Sequence, residues 1–341
     1  MSSLMNWPVS RRMLLATAAA VPIVAPAIVR AAAAQFTYKF ATGQDPTHPL
    51  NIRLGEAFGR IREKTGGALD IKLFPANQLG TETDVLSQIR LGSLEFLILS
   101  ASILATLVPV TGIANTAYAF GDYDAVWKAM DGPLGDYTRG RIENTGLVAF
   151  GRIWDNGFRQ VTSSSRQIKT PEDMKGFKIR VPPAPMLTSF FTAIGASPTP
   201  MNFAEVYSAL QTKLIDGQEN GLSLIATTRL YEVQKYCALT GHSWDGYWPL
   251  ANRKAWERLP QAMRDMVASE IDQSARDERT DLAAKDSSLR GFLTDKGLTI
   301  SDVDKTRFRN ALAQTSYYRD WKEKYGEEAW TQLETACGKL T

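Results

Sequence analysis

The chain of 341 residues carries only two cysteines, Cys237 and Cys337, and two histidines, His48 and His242. Two cysteines make neither a disulfide framework nor a metal cluster, so the pair is taken as unpaired. The histidines stand too far apart for a His-x-x-x-His metal pair, and each reads as a structural hydrogen-bonder rather than a general base. The Gly-x-Ser-x-Gly elbow, the Gly-x-x-x-x-Gly-Lys phosphate cradle and the Gly-x-Gly-x-x-Gly turn are also missing. No cofactor is therefore expected. After Ala34 no apolar run approaches the ~20 residues of a membrane-spanning helix. A basic excess is lacking too. The formal charge is +3, but Arg11, Arg12 and Arg30 sit in a leading segment without acids, and removing them leaves 36 basic and 36 acidic side chains. That balance leaves no basic stripe for nucleic acid or an anionic membrane.

What is present begins with an export signal over residues 1–34. Ser10-Arg11-Arg12-Met13-Leu14-Leu15 opens an apolar run from Ala16 to Val29, broken by Pro22 and Pro26 and followed by the small residues Ala31 to Ala34. A charged start, a short apolar middle and an Ala-x-Ala end form a signal peptide rather than a span. The paired arginines point to the twin-arginine route, a Sec signal with two chance arginines being the other reading. Either route leads out of the cytoplasm, and a periplasmic location is expected.

The mature chain alternates strands and helices. Phe36 to Phe40 is apolar at every second position, Leu50 to Ile61 has helical spacing, and Leu69, Ile71 and Leu73 alternate again. Thr81 and Asp84 resemble a capping box, and Leu94 to Leu99 reads as a buried strand. The pattern resumes with strands at Leu147–Trp154, Arg159–Thr162, Phe177–Val181 and Ile215–Glu219, and with a capping box at Asn202–Glu205 opening a helix. Pro260 to Arg290 reads as one long helix. This is an α/β pattern of parallel sheets covered by helices, in two lobes with a cleft between them. Ligands of open α/β sheets bind beyond the carboxyl ends of the strands. That rule selects Gln44, Ser100, Trp154–Asn156, Arg180–Pro182 and Asn220.

Arg180 ends an apolar strand and runs into Val181-Pro182-Pro183. A guanidinium there presents a planar fork to a carboxylate, which a lysine cannot match. Read from position alone, Arg180 is either that anchor or a partner in a surface ion pair. Asn220 is either an amide donor to the same ligand or the first residue of an Asn-Gly turn. The aromatics Trp154, Phe158, Phe203, Trp244, Tyr247 and Trp248 are core or pocket wall.

The stretches Lys178-Ile179-Arg180-Val181-Pro182, Ile194-Gly195-Ala196-Ser197-Pro198-Thr199-Pro200-Met201, Phe203-Ala204-Glu205-Val206-Tyr207 and Ile215-Asp216-Gly217-Gln218-Glu219-Asn220 resemble the DctP family, the solute receptors of TRAP (tripartite ATP-independent periplasmic) transporters. Phe74–Gly80, Leu91–Phe96 and Asn156–Gln160 add to the resemblance, which runs from about Lys39 to beyond Pro260. It implies a two-lobed periplasmic-binding-protein fold with a long helix bracing both lobes. Lobe I would take 35–156 plus about 246–285, and lobe II 157–245 plus about 286–341. It also implies a carboxylate-binding arginine at Arg180, a second site arginine at Arg159, an amide at Asn220 and a packing ring at Phe203. The implied partners are a small carboxylate and the small and large TRAP membrane subunits. Ser100 falls where the sialate-binding branch has a glutamate, which speaks for a smaller or more apolar ligand. Trp154, Trp244 and Trp248 nearby suggest an aromatic or hydroxy-substituted monocarboxylate. A binding protein of an ABC system, a sensor's receptor domain and a cleft enzyme are the competing readings.

Overall fold

A computed structural model describes residues 34–340; the signal read over 1–34 lies outside the described residues except for Ala34. Twelve strands occur among the described residues: β1 (Phe36–Ala41), β2 (Leu69–Phe74), β3 (Phe96–Ser100), β4 (Leu147–Ala149), β5 (Trp154–Phe158), β6 (Gln160–Ser163), β7 (Lys178–Val181), β8 (Ser197–Pro200), β9 (Gly217–Asn220), β10 (Tyr236–Leu239), β11 (Trp244–Asn252) and β12 (Thr299–Asp302). They form two six-stranded sheets. The first runs β2-β1-β3-β11-β4, with β5 also paired to β11, and the second runs β12-β10-β6-β9-β7-β8. The sheets are mixed rather than purely parallel: β1 pairs β2 and β3 in parallel, whereas β11 runs antiparallel to β3, β4 and β5.

The chain passes between the sheets twice through short links from one strand to the next. It leaves the first sheet in β5 and enters the second in β6 through Arg159, then returns through residues 240–243 between β10 and β11. The two passages are tied where the Arg159 amide donates to the Ser243 carbonyl at 2.8 Å. The third link is the long helix Gln261–Asp295, whose 35 residues reach about 52 Å. Its Val267, Ile271 and Ala275 enter the core of the first lobe, and Leu293 that of the second. One helix thus braces both lobes because its apolar residues change partners along its length.

β5 runs to Phe158 and β11 starts at Trp244, both in the first sheet. Helix Glu327–Cys337 packs on Tyr123–Met130 and Pro133–Glu143, which lie between β3 and β4 in the chain. The expected capping box at Asn202 does not form. The Asn202 amide instead donates across the cleft to Thr83 Oγ1 at 3.2 Å, and residues 203–205 form only a 3-10 turn before helix Val206–Gln211. The box at Thr81–Asp84 does form. Cys237 and Cys337 are both free.

Candidate functional site

The two passages bring the carboxyl ends of β3, β7 and β9 around one cavity of ≈ 30 Å³, room for the centres of a few atoms. It lies between the lobes, which meet over it. Besides the Asn202–Thr83 bond, the Phe203 amide donates to Glu82 Oε2 at 3.3 Å.

Arg180 reaches this cavity from β7, a strand held between β8 and β9, so its backbone is fixed on both sides. The residue is 1% exposed. Its Nε and Nη2 donate to the Met201 carbonyl at 2.9 and 2.6 Å, and its guanidinium carbon lies 5.6 Å from the Phe203 ring centre. Among the described residues no carboxylate pairs with it. Burial away from water pulls its pKa down to about 10, with the like charge of Arg159 acting in the same direction against Glu219 and Glu82. It remains a cation at neutral pH, with Glu219 and Glu82 acting on it only from beyond ion-pair contact.

Arg159 is as deeply buried, 2% exposed, but differently placed. Its Nε donates to Glu219 Oε2 at 2.5 Å, its Nη2 to Glu219 Oε1 at 2.9 Å and to the Glu219 carbonyl at 2.8 Å, and its Nη1 to Asp245 Oδ2 at 3.1 Å. Burial opposes its charge, but Glu219 and Asp245 outweigh that cost and hold its pKa above the usual arginine value. Burial likewise works against the Glu219 anion and is outweighed by Arg159 and His242, leaving its pKa below the usual range. His242 donates to or accepts from Thr240 Oγ1 at 2.8 Å and faces Glu219 at 3.1 Å; burial lowers its pKa. Because Glu219 is on β9 and Asp245 on β11, Arg159 joins carboxylates of both lobes. It lines the cavity as an internal ion-pair centre rather than as a free fork.

Asp245 owes its position to a bulge. The pairing of β11 with β5 slips between Asp245 and Gly246, where an added Cβ would meet Trp244 and Ile153 within 3 Å. The carboxylate then collects Ser100 Oγ at 2.6 Å, Asn115 Nδ2 at 3.0 Å and Asn156 Nδ2 at 3.0 Å besides Arg159.

Of the other expected residues, Gln44, Ser100, Phe203 and Asn220 line the cavity. Gln44 Nε2 donates to Tyr247 Oη at 2.9 Å, and its Oε1 is buried with no partner. Asn220 Nδ2 is already bonded to Gln218 Oε1 at 2.7 Å. Trp154 and Trp244 lie elsewhere. Trp154 is fully buried in the core of the first lobe, and Trp244 donates to Asp155 Oδ1 at 2.8 Å among Phe120 and Trp127. Trp248 is also core. The tryptophans therefore give no support to an aromatic ligand.

Sequence reasoning missed Glu82 and Asp245. Glu82 stands in the first turn of helix Glu82–Leu91, where an acid is common because it satisfies the helix dipole. Asp245 was legible: a lone carboxylate inside Trp244-Asp245-Gly246-Tyr247-Trp248 is a charge that must be buried and paired.

Two α/β lobes, strand crossovers, a bracing helix and a charged interlobe cavity define a cleft-type solute receptor. Residues 40–324 match the family described as bacterial extracellular solute-binding protein, family 7 (DctP). The chain is 32% identical to the 2,3-diketo-L-gulonate-binding periplasmic protein YiaO of Escherichia coli over 74% of this chain and 77% of that one. It is 33% identical over 91% of its length to the protein y4mM of Sinorhizobium fredii, of which it spans 57%. A TRAP periplasmic solute-binding protein of Sulfurospirillum deleyianum, solved with bound succinate, superposes with a TM-score of 0.84 at 27% identity, covering 89% of this chain and 99% of that one. The chain belongs to the DctP family of solute-binding proteins. The family consists of extracellular solute-binding proteins. Among the described residues no helix is long and apolar enough to cross a membrane.

Proposed function

We propose that the protein captures a small carboxylate in the interlobe cavity through Arg180, in the periplasm, and hands it unchanged to the small and large membrane subunits of a TRAP transporter. The observation that carries this reading is a guanidinium 1% exposed with no carboxylate partner. A buried charge left unpaired is costly, and a ligand carboxylate on its unused Nη1 edge supplies the missing counter-ion. The carboxylates named for YiaO and for the Sulfurospirillum protein agree with that chemistry.

Closure follows as a population shift. The ligand favours the closed arrangement only by its extra affinity for it, here through contacts to Arg180 from one lobe and Gln44 from the other. Arg159 acts mainly by holding Glu219 and Asp245 at the crossing. A thermal-shift screen of the mature protein tests the reading, since ligand binding raises apparent stability by mass action. At least one small carboxylate should raise Tm, and neutral sugars and amines should not. A panel in which only neutral solutes raise Tm would overturn it.

A further inference from the structure

The charges around the cavity specify more than one carboxylate-binding group. Two cations face it, and they are not equivalent. Arg159 has four of its five N–H donors engaged within the protein, on Glu219 and Asp245. Its charge is already answered, twice. Arg180 alone has charge to spare. Besides Asp245, a second carboxylate, Glu82, lines the cavity, 6% exposed and within the field of Arg180. Burial raises its pKa, so it stands there as an anion or as a neutral acid, and in neither form is it a counter-ion for an anion. A ligand with two carboxylates would satisfy one on Arg180 and bury the other beside Glu82 and Asp245 with no cation to meet it.

The uncharged lining points the same way. Asn156 Nδ2 donates to Asp245 Oδ2, which can only accept, so the amide is fixed with Oδ1 as its free end; that Oδ1 is buried and has no partner. Gln44 Oε1 is also buried without a partner. The Ser100 hydroxyl is spent on Asp245, and Ser102 shares its hydroxyl bond with Ser100 at 2.5 Å. Among the described residues, the buried side-chain atoms of the lining that are left without a partner are thus both acceptors, Asn156 Oδ1 and Gln44 Oε1. Buried acceptors left unmatched reject a ligand that lacks donors, whereas hydroxyl groups would satisfy them.

We infer that the ligand is a hydroxylated monocarboxylate, and that Glu82 and the Arg159-centred network are what exclude dicarboxylates. This rests on the carboxylate-receptor reading and narrows it to one side of the chemistry that the succinate-bound relative and YiaO represent.

Matched acids separate the two claims. Calorimetry on the mature protein would compare erythronate, butyrate and succinate, four-carbon acids with three hydroxyls, none, and a second carboxylate. Gluconate, hexanoate and adipate form the six-carbon set. In at least one set the hydroxylated acid should bind roughly tenfold or more tighter than both others. Glu82→Gln should raise succinate or adipate affinity relative to the hydroxylated acid. Gln44→Leu should narrow the gap between the hydroxylated and the unsubstituted acid. Succinate or adipate binding as tightly as the hydroxylated acid, or butyrate or hexanoate matching it, would overturn the inference and leave the receptor reading standing. No binding by any of the six would overturn both.

Discussion

Arg159 and Arg180 line one cavity, are equally buried and carry the same charge, yet one is built into the protein and the other is left open. Arg159 sits where the chain crosses between lobes and is clamped by carboxylates from both sheets. Arg180 ends a strand inside the second sheet and is steadied only by the Met201 carbonyl and the Phe203 ring. The difference separates holding the lobes together from holding a ligand. A carbonyl orients a guanidinium without neutralising it, so Arg180 is placed but not satisfied.

The largest effect expected from this contrast is on folding. Arg159→Met leaves Glu219 and Asp245 buried without their cation and should destabilise the protein by about 3–5 kcal/mol, read by urea unfolding. A loss below about 1 kcal/mol would mean that Arg159 is not the structural partner. Arg180→Ala should do the opposite: affinity falls roughly 100-fold or more while unfolding stability changes by less than about 1 kcal/mol, since no internal ion pair is broken.

A smaller effect concerns buried acids with no arginine fork. Asp155, on β5, and Glu278, on the long helix, meet where the Asp155 amide donates to Glu278 Oε2 at 3.1 Å. Burial pushes Asp155 up to about 6, and burial together with the Asp155 charge raises Glu278 well above the carboxylate range. Both groups hold protons more tightly folded than unfolded. Their contribution to stability is therefore full below about pH 4 and is lost as pH rises, through about 6 for Asp155 and through the raised pKa of Glu278. Glu278→Gln should flatten that fall and raise Tm at pH 7–8; an unchanged pH profile would contradict it. The smallest effect belongs to the exposed Arg290–Asp302 pair, 2.7 Å apart, where Arg290→Ala should leave the urea-unfolding midpoint unchanged within measurement error.

Much of this arrangement was legible in the sequence, for reasons that also mark where legibility stopped. Alternation and capping residues located β1, β2, the Thr81 cap and the long helix because these are local effects. The rule for strand ends found Gln44, Ser100, Arg180 and Asn220 because it depends on topology alone. Whether a buried arginine is paired depends on partners far away in the chain. Arg159 meets Glu219 after 60 residues and Asp245 after 86, and no spacing announces that. The same holds for Asn202, whose local pattern predicted a cap while the opposite lobe supplied Thr83. Trp154 and Trp244 lie near strand ends in sequence, but the pleat turns them into the cores.

The central claim, that Arg180 is kept unpaired for a ligand carboxylate, is tested most directly by a double-mutant cycle across protein and ligand. The acid giving the largest thermal shift and its primary amide would be titrated against the wild type and Arg180→Ala. The amide should lose roughly 100-fold or more on the wild type and little on the variant. An equal loss on both proteins would show that the carboxylate is read elsewhere and would contradict it.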